Sequence, residues 1–129
     1  AVPKIVFCSS PQTYADLSGR LIEPGDMDLT ARVISMGALH KAFAVTAAIC
    51  TAGAAQIEGT VVHELARIDH HPDVRVGHPG GVLPVGARVT KCGDRAHFEE
   101  AVLERTARRL MEGAVLVPAA TFFQGEEYA

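Results

Sequence analysis

Two short stretches of the sequence have the residue types expected of a site for a small anion. The first begins with Ser35, Met36 and Gly37 and adds His40 and Lys41 just before an apolar run. If a helix begins here, its unpaired N–H groups and positive dipole end attract a carboxylate or an oxyanion. A histidine one turn further on could donate a hydrogen bond or carry a proton near neutral pH. The alternative is that Ser35 only caps the helix and that His40 and Lys41 lie half-exposed at its end.

The second stretch is the glycine loop, Gly77-His78-Pro79-Gly80-Gly81, in which three of five residues are glycine. Glycines leave backbone amides bare, and such a concavity can hold an anion. His78 would add a side-chain donor. The alternative is a tight β-turn without a ligand. Both stretches are therefore candidates for binding an anion through hydrogen bonds.

The histidines and cysteines do not predict a metal site. The turn at residues 69–73 contains adjacent histidines, with His63 nearby, but their spacing fits no standard metal motif. Cys8, Cys50 and Cys92 are far apart and form no CxxC pair. An odd, sparse cysteine count is typical of reduced thiols in a cytoplasmic protein.

A group of arginines near the C-terminal end is a further candidate. Arg105, Arg108 and Arg109 could hold a carboxylate in bidentate fashion. The alternative is a solvated basic face or structural ion pairs with neighbouring glutamates. Those glutamates are Glu99, Glu100 and Glu104.

Composition limits the class of protein. A chain of 129 residues and 13.7 kDa makes a single domain, residues 1–129, with one core. A net charge of −3 with no basic tract, and no Trp, argue against nucleic acid or an anionic membrane as partner. The N-terminal residues lack the pattern of a signal peptide, and no apolar run is long enough to span a bilayer. We therefore expect a cytoplasmic protein that binds a small molecule.

The elements that position these residues follow from local patterns. Residues 4–9 predict a strand, and Asp26 predicts the N-cap of a helix from residue 27 to about residue 35. A central helix is predicted at residues 35–57 because small apolar side chains occupy nearly every position, which is typical of a buried helix.

The second half of the chain predicts mainly strands. Residues 97–111 are compatible with a helix or a strand. The predicted strands are residues 60–68, 74–76, 82–90 and 114–118, with turns at 69–73 and 92–94. This order predicts an α+β fold, a mostly antiparallel sheet curled around one long central helix.

Several blocks, taken together and in order, resemble the PrpF family. They are Gly25-Asp26-Met27-Asp28-Leu29, Ala31-Arg32, Ser35-Met36-Gly37 with His40 and Ala42, Gly77-His78-Pro79 with Gly81, Arg105-Thr106-Ala107-Arg108, Leu110-Met111-Glu112-Gly113 and Val117-Pro118. The resemblance implies a diaminopimelate-epimerase-like fold of two similar halves, with the active site in the cleft between them. It also implies cofactor-independent proton transfer, such as 2-methylaconitate cis–trans isomerisation or 4-oxalomesaconate tautomerisation.

Two departures qualify this resemblance. The chain is similar only to the C-terminal part of such a protein, so its half of the fold is expected to be incomplete. The family's proton-transferring Lys and Cys belong to the other half, which leaves no catalytic residue to assign here. Met36 stands where related epimerases have their second cysteine, and Gly80 stands where the family usually has Ser. The predicted substrate-binding residues are Ser35, Met36, Gly37, His40, Gly77, His78, Pro79, Gly80 and Gly81.

Two functions follow as hypotheses. The chain is either the substrate-binding half of an isomerase or tautomerase of small unsaturated polycarboxylates, or an inactive domain that binds carboxylates or self-assembles. The first hypothesis requires a complementary N-terminal half. The second predicts a homo-oligomer, because an incomplete barrel exposes sheet edges and apolar surface.

Overall fold

The computed structural model describes residues 3–68, 73–93 and 95–118. Two α-helices and eight strands occur in these ranges, together with one turn of 3₁₀-helix at Pro24–Asp26. The strands are β1 (Ile5–Ser9), β2 (Tyr14–Ala15), β3 (Leu21–Ile22), β4 (Leu29–Ser35), β5 (Ala38–Leu39), β6 (Asp73–His78), β7 (Gly81–Cys92) and β8 (Arg95–Val102). The helices are α1 (Val45–Ala55) and α2 (Val61–Leu65).

Six strands form one sheet in the order β1-β4-β6-β7-β8, with β5 pairing β4, and β2 pairs β3 in a separate hairpin. The neighbours β4 and β6 run parallel, whereas the other pairs are antiparallel. The predicted α+β class is confirmed. The sheet is mixed, however, because the connection through α1 and α2 returns the chain parallel to β4.

The core lies between α1 and one face of the sheet. The helix contributes small side chains that include Ala48, Ala52 and Ala55, and the sheet contributes branched residues such as Val33 and Val76. Small residues let the helix lie close to the strands. Gly53 illustrates this closeness, because a Cβ at this position would overlap the ring of Phe98 on β8. The apolar helix predicted from composition is therefore confirmed at residues 45–55 only.

The predicted helix at residues 27–35 is wrong, and so is the start of the central helix at Ser35. Residues 29–35 form β4, on which Leu29, Ala31 and Val33 are all buried, with the period of two that defines a strand face. The strand turns back through Met36 and Gly37, whose φ angles of 54° and 79° are both positive. Two positive φ angles define a tight hairpin turn, which ends β4 and starts β5.

The predicted strand at residues 60–68 is also wrong. Thr60 accepts a hydrogen bond from the His63 amide at 3.1 Å and so caps α2. The strands predicted at residues 4–9, 74–76 and 82–90 are confirmed as parts of β1, β6 and β7.

The C-terminal part of the described chain contains one strand. The ambiguous segment at residues 97–111 is strand up to Val102, within β8, and is irregular afterwards. Residues 114–118 are not a strand. The predicted turn at residues 69–73 lies largely outside the described residues, as does residue 94 of the turn at 92–94.

Candidate functional site

The first predicted anion site does not lie at a helix N-terminus. Ser35, Met36 and Gly37 belong to the β4–β5 hairpin, and the Met36 side chain is 85% exposed at its tip. Helix α1 begins only at Val45, after an Ala44 N-cap without a side-chain cap bond. The prediction that Ser35, Met36 and Gly37 bind an anion at a helix N-terminus is therefore wrong.

The chain that follows the hairpin is positioned by β4. The His40 amide donates to the Val33 carbonyl at 2.9 Å, which continues the hairpin by one residue. The His40 Nδ1 accepts a hydrogen bond from the Ala42 amide at 3.2 Å. Phe43 is then buried in the core and precedes α1. Residues 40–43 thus have a defined course between the sheet and the helix.

The glycine loop is the tight turn between β6 and β7. His78 pairs with Gly81, and Pro79 and Gly80 form the two-residue turn between them. The Gly80 amide donates to the Nδ1 of His78 at 3.1 Å, so this amide is not bare. Gly81 has a φ of 128°, a conformation that L side chains rarely adopt. The glycines therefore permit the turn, and the available donor is the His78 ring.

The structure brings residues 40–43 and the glycine loop together. The rings of Phe43 and His78 are 6.2 Å apart between centroids. A Cβ on Gly80 would lie 3.5 Å from the Lys41 carbonyl oxygen. The tip of the β4–β5 hairpin lies further from the glycine loop. Strand β4 pairs with β6 at Thr30, which lies opposite Gly77, and β4 then continues for five residues to Ser35. Five residues of strand correspond to roughly 16 Å.

His78 is held in its neutral form. Burial lowers its pKa below the ordinary value of 6.5, and the positive charge of Arg32 and the neighbouring His40 lower this pKa further. Because the Gly80 amide donates to Nδ1, the proton of the neutral ring is assigned to Nε2. At neutral pH His78 is therefore a hydrogen-bond donor rather than a cation.

Two residues of this region were not predicted from the sequence. The Arg32 guanidinium carbon lies 4.5 Å from the centre of the Tyr14 ring. Arg32 Nη1 donates to the Gly77 carbonyl at 3.2 Å, and the Tyr14 hydroxyl donates to the Gly81 carbonyl at 2.6 Å. For Arg32 the available signal was its position as the single charged residue between Leu29 and Ile34. It was missed because this stretch was assigned to a helix.

The other two candidates do not join this region. Arg109 pairs with Glu112 at 2.9 Å, and both side chains are largely exposed on the irregular segment after β8, as are Arg105 and Arg108. His63 Nδ1 lies 2.8 Å from the Ala55 carbonyl at the end of α1. In residues 3–68, 73–93 and 95–118, no three His, Cys, Asp or Glu side chains are placed to hold a metal ion. Residues 69–72, with the adjacent histidines, lie outside these ranges.

Two open cavities lie elsewhere, beside the C-terminal end of α1. Their volumes are about 460 and 490 Å³, and both are lined by Gln56 and Val89 under the β7–β8 ribbon. They contain no residue of the predicted site. The candidate site at His78 therefore rests on hydrogen bonds and burial and does not coincide with either cavity.

Comparisons with known proteins identify the family of the chain. The family model described as PrpF protein matches residues 1–118. The chain is 46% identical over 122 residues to 3-methylitaconate isomerase of Eubacterium barkeri and covers 31% of that protein. It is 43% identical over 116 residues to 2-methyl-aconitate isomerase of Shewanella oneidensis and covers 29% of it. These alignments include 93% and 90% of the present chain.

The chain is also similar in fold to a solved structure. The crystal structure of methylitaconate-delta-isomerase superposes on 89% of the chain with a TM-score of 0.75 and 45% identity, and the match covers 29% of that protein. The fold is thus that of an α+β isomerase of this type, and the chain belongs to the PrpF protein family. It spans about 30% of the length of the curated relatives it matches. Within the described part of the chain, no helix is long and apolar enough to cross a membrane.

Proposed function

We propose that this chain is the substrate-binding portion of a cofactor-independent isomerase or tautomerase that moves a proton on small unsaturated polycarboxylates. One observation carries the proposal: His40 and the glycine loop meet around the neutral His78, beside the cation Arg32. The relatives are named for isomerisation of methylitaconate and methylaconitate, which are small polycarboxylates. A carboxylate is the ligand that such donors and charges suit.

The chemistry of the site is that of binding. His78 offers its Nε2–H to a carboxylate oxygen, and the neutral form of His40 offers the same atom because its Nδ1 accepts from the Ala42 amide. Arg32 supplies a nearby positive charge. Ser35, Met36 and Gly37 lie roughly 16 Å further along β4 and are not assigned a contact with the same small ligand. In the proposal, residues beyond this chain's share of the relatives' length transfer the proton. Hydrogen bonds that hold the carboxylates keep the carbon that loses a proton in place.

The affinity for trans-aconitate measures this role. Asn at position 78 retains an acceptor near the position of Nδ1 for the Gly80 amide but has no atom at Nε2. We expect His78→Asn to weaken trans-aconitate binding about tenfold, because one hydrogen bond to a charged group contributes roughly 1.5 kcal/mol. Isothermal titration of the 129-residue chain at pH 7.5 provides the measurement.

His97→Asn is the matched control, because His97 lies exposed on β8. Its affinity is expected to equal that of the unmodified chain. Equal losses in both variants, or no saturable binding by the unmodified chain, would contradict the proposal. The catalytic part is tested separately by mixing the chain with the N-terminal remainder of a relative and following isomerisation by ultraviolet absorbance.

A second candidate function is self-assembly of an inactive domain. The observation that favours it is the exposure at the two ends of the sheet path: Ile5 and Phe7 on β1 are 51% and 59% exposed, and every residue of β8 is exposed. Unpaired edges with apolar side chains promote association. Static light scattering decides between a homo-oligomer, which this function predicts, and a monomer at high concentration, which counts against it.

A further inference from the structure

The glycine loop is held from outside by residues that do not belong to the proposed substrate contacts. Its carbonyl groups at Gly77, Pro79 and Gly81 each accept a hydrogen bond from a residue outside the loop. The donors are Arg32 Nη1 at 3.2 Å, the Leu17 amide at 2.8 Å and the Tyr14 hydroxyl at 2.6 Å, respectively. The loop is therefore fastened at its first, third and fifth residues.

Tyr14 and Arg32 act as one unit in this arrangement. The guanidinium lies over the tyrosine ring at 4.5 Å, a distance at which a cation and an aromatic face attract each other. Arg32 is further fixed by its bond to the Ala31 carbonyl at 2.8 Å. Gly77 leaves room for the pair, since a Cβ there would lie 3.1 Å from the Tyr14 hydroxyl oxygen. The two residues thus form a rigid support behind the loop.

We propose that Tyr14 and Arg32 are positioning residues that orient the His78 ring so that its Nε2–H is presented to a substrate carboxylate. The proposal rests on the proposed function for the identity of the ligand. Both residues bind the loop backbone and not the substrate. They act through His78, which lies between the fastened carbonyls of Gly77 and Gly81.

The physical reason lies in the hydrogen bond inside the turn. The His78 ring is oriented by the Gly80 amide, which donates to Nδ1 at 3.1 Å only while the turn keeps its shape. Loosening either end of the turn lengthens this bond and frees the ring to exchange tautomers. Arg32 has a second effect, because its charge opposes protonation of His78.

Other charged groups surround the loop and must be separated from this effect. His40, from the segment after β5, also lowers the pKa of His78, after burial and Arg32. The Arg20 guanidinium lies 3.4 Å from where a Cβ on Gly81 would be, but it pairs with Asp16 at 3.4 Å. Arg20 is therefore the matched control, a nearby arginine without a hydrogen bond to a loop carbonyl among the described contacts.

The test uses nuclear magnetic resonance of the 129-residue chain. Long-range proton–nitrogen spectra report the tautomer and the pKa of His78 directly. In Tyr14→Phe, which removes only the hydroxyl, we expect a measurable Nδ1–H tautomer and about fivefold weaker trans-aconitate binding, the effect of one lost hydrogen bond. In Arg32→Gln we expect the pKa of His78 to rise, and in Arg32→Lys, which keeps the charge, to rise less. Arg20→Gln is expected to change neither quantity.

The outcomes are decisive in either direction. An unchanged tautomer and unchanged affinity in Tyr14→Phe would overturn the proposal, even if Arg32→Gln failed to fold. A shift as large in Arg20→Gln would also overturn it, because the effect would then be general electrostatics. If the unmodified chain binds no trans-aconitate, the proposed function fails, whereas the His78 tautomer in Tyr14→Phe still decides whether the support orients the ring.

Discussion

Replacing Asp28 with Asn is expected to lower the free energy of unfolding by about 2 kcal/mol, less than for a fully buried ion pair because the Arg75 side chain is 30% exposed. Asp28 is 1% exposed. Its carboxylate accepts hydrogen bonds from Arg75 Nη2 at 2.6 Å, Arg75 Nε at 3.1 Å and the Arg75 amide at 2.7 Å. Asn would turn an N–H group toward one of these donors and would remove the negative charge that Arg75 Nη2 contacts at 2.6 Å.

The loss of stability is expected to exceed that of a single side-chain contact, because the backbone of Asp28 also binds two other segments. Its amide donates to the Arg75 carbonyl, and its carbonyl accepts from the Arg67 amide, both at 2.8 Å. Arg75 also donates to the Gly25 carbonyl at 3.0 Å. One residue therefore joins the start of β4 to β6 and to the chain after α2. Disturbing its side chain weakens the attachment of three segments at once.

Urea denaturation monitored by circular dichroism measures this effect. Glu112→Gln is the matched control, because it removes the same charge from the pair with Arg109, in which both side chains are about 80% exposed. Such exposed pairs contribute little, so no measurable change is expected. Equal midpoints for Asp28→Asn and Glu112→Gln would contradict a structural role for the buried pair.

Asp28 also explains why part of the fold could not be predicted. Two aspartates, Asp26 and Asp28, match the acidic start of a helix, and that local signal favoured a helix. The carboxylate of Asp28 instead binds Arg75, 47 residues away in sequence. A partner at that distance is invisible to local patterns. The alternation of apolar Leu29, Ala31 and Val33 with polar residues along β4 was the competing signal, and pairing of β4 with β1 and β6 made it decisive.

Other elements were predictable because their signals are local. Strands β1, β6 and β7 carry runs of branched residues, and α1 carries a long run of small apolar residues. The short helix α2 was missed because Val61 and Val62 favour a strand, whereas the Thr60 cap that starts the helix is a single residue.

The candidate site, like the fold, was predictable from the sequence only where its signals are local. The glycine loop was found because glycine and proline mark a turn wherever they occur together. Tyr14 and Arg32 were not found, because they meet the loop only through strand pairing and hairpin packing, at separations of 67 and 45 residues. Residue type predicted where the backbone turns. It could not predict which side chains support the turn.

Gly77→Ala is expected to lower the free energy of unfolding by about 2 kcal/mol, as for overpacking of a filled interior. The added Cβ would overlap the Met27 sulfur and lie 3.1 Å from the Tyr14 hydroxyl oxygen. Met27 is 1% exposed, so its side chain has little free volume to move into. The φ of Gly77 is not among the positive values, so steric contact rather than backbone strain causes the loss.

A double-mutant cycle with Met27→Val tests this cause. Valine lacks the sulfur that the new methyl group would meet, so the double variant is expected to be more stable than the sum of the single changes predicts, by about 1 kcal/mol. Gly25→Ala is the control, because a Cβ there would meet no atom within 4 Å. Strict additivity in the cycle would show that Met27 is not the obstacle. Because the same methyl group displaces the Tyr14 hydroxyl, trans-aconitate binding is expected to fall in Gly77→Ala and to recover only in part with Met27→Val.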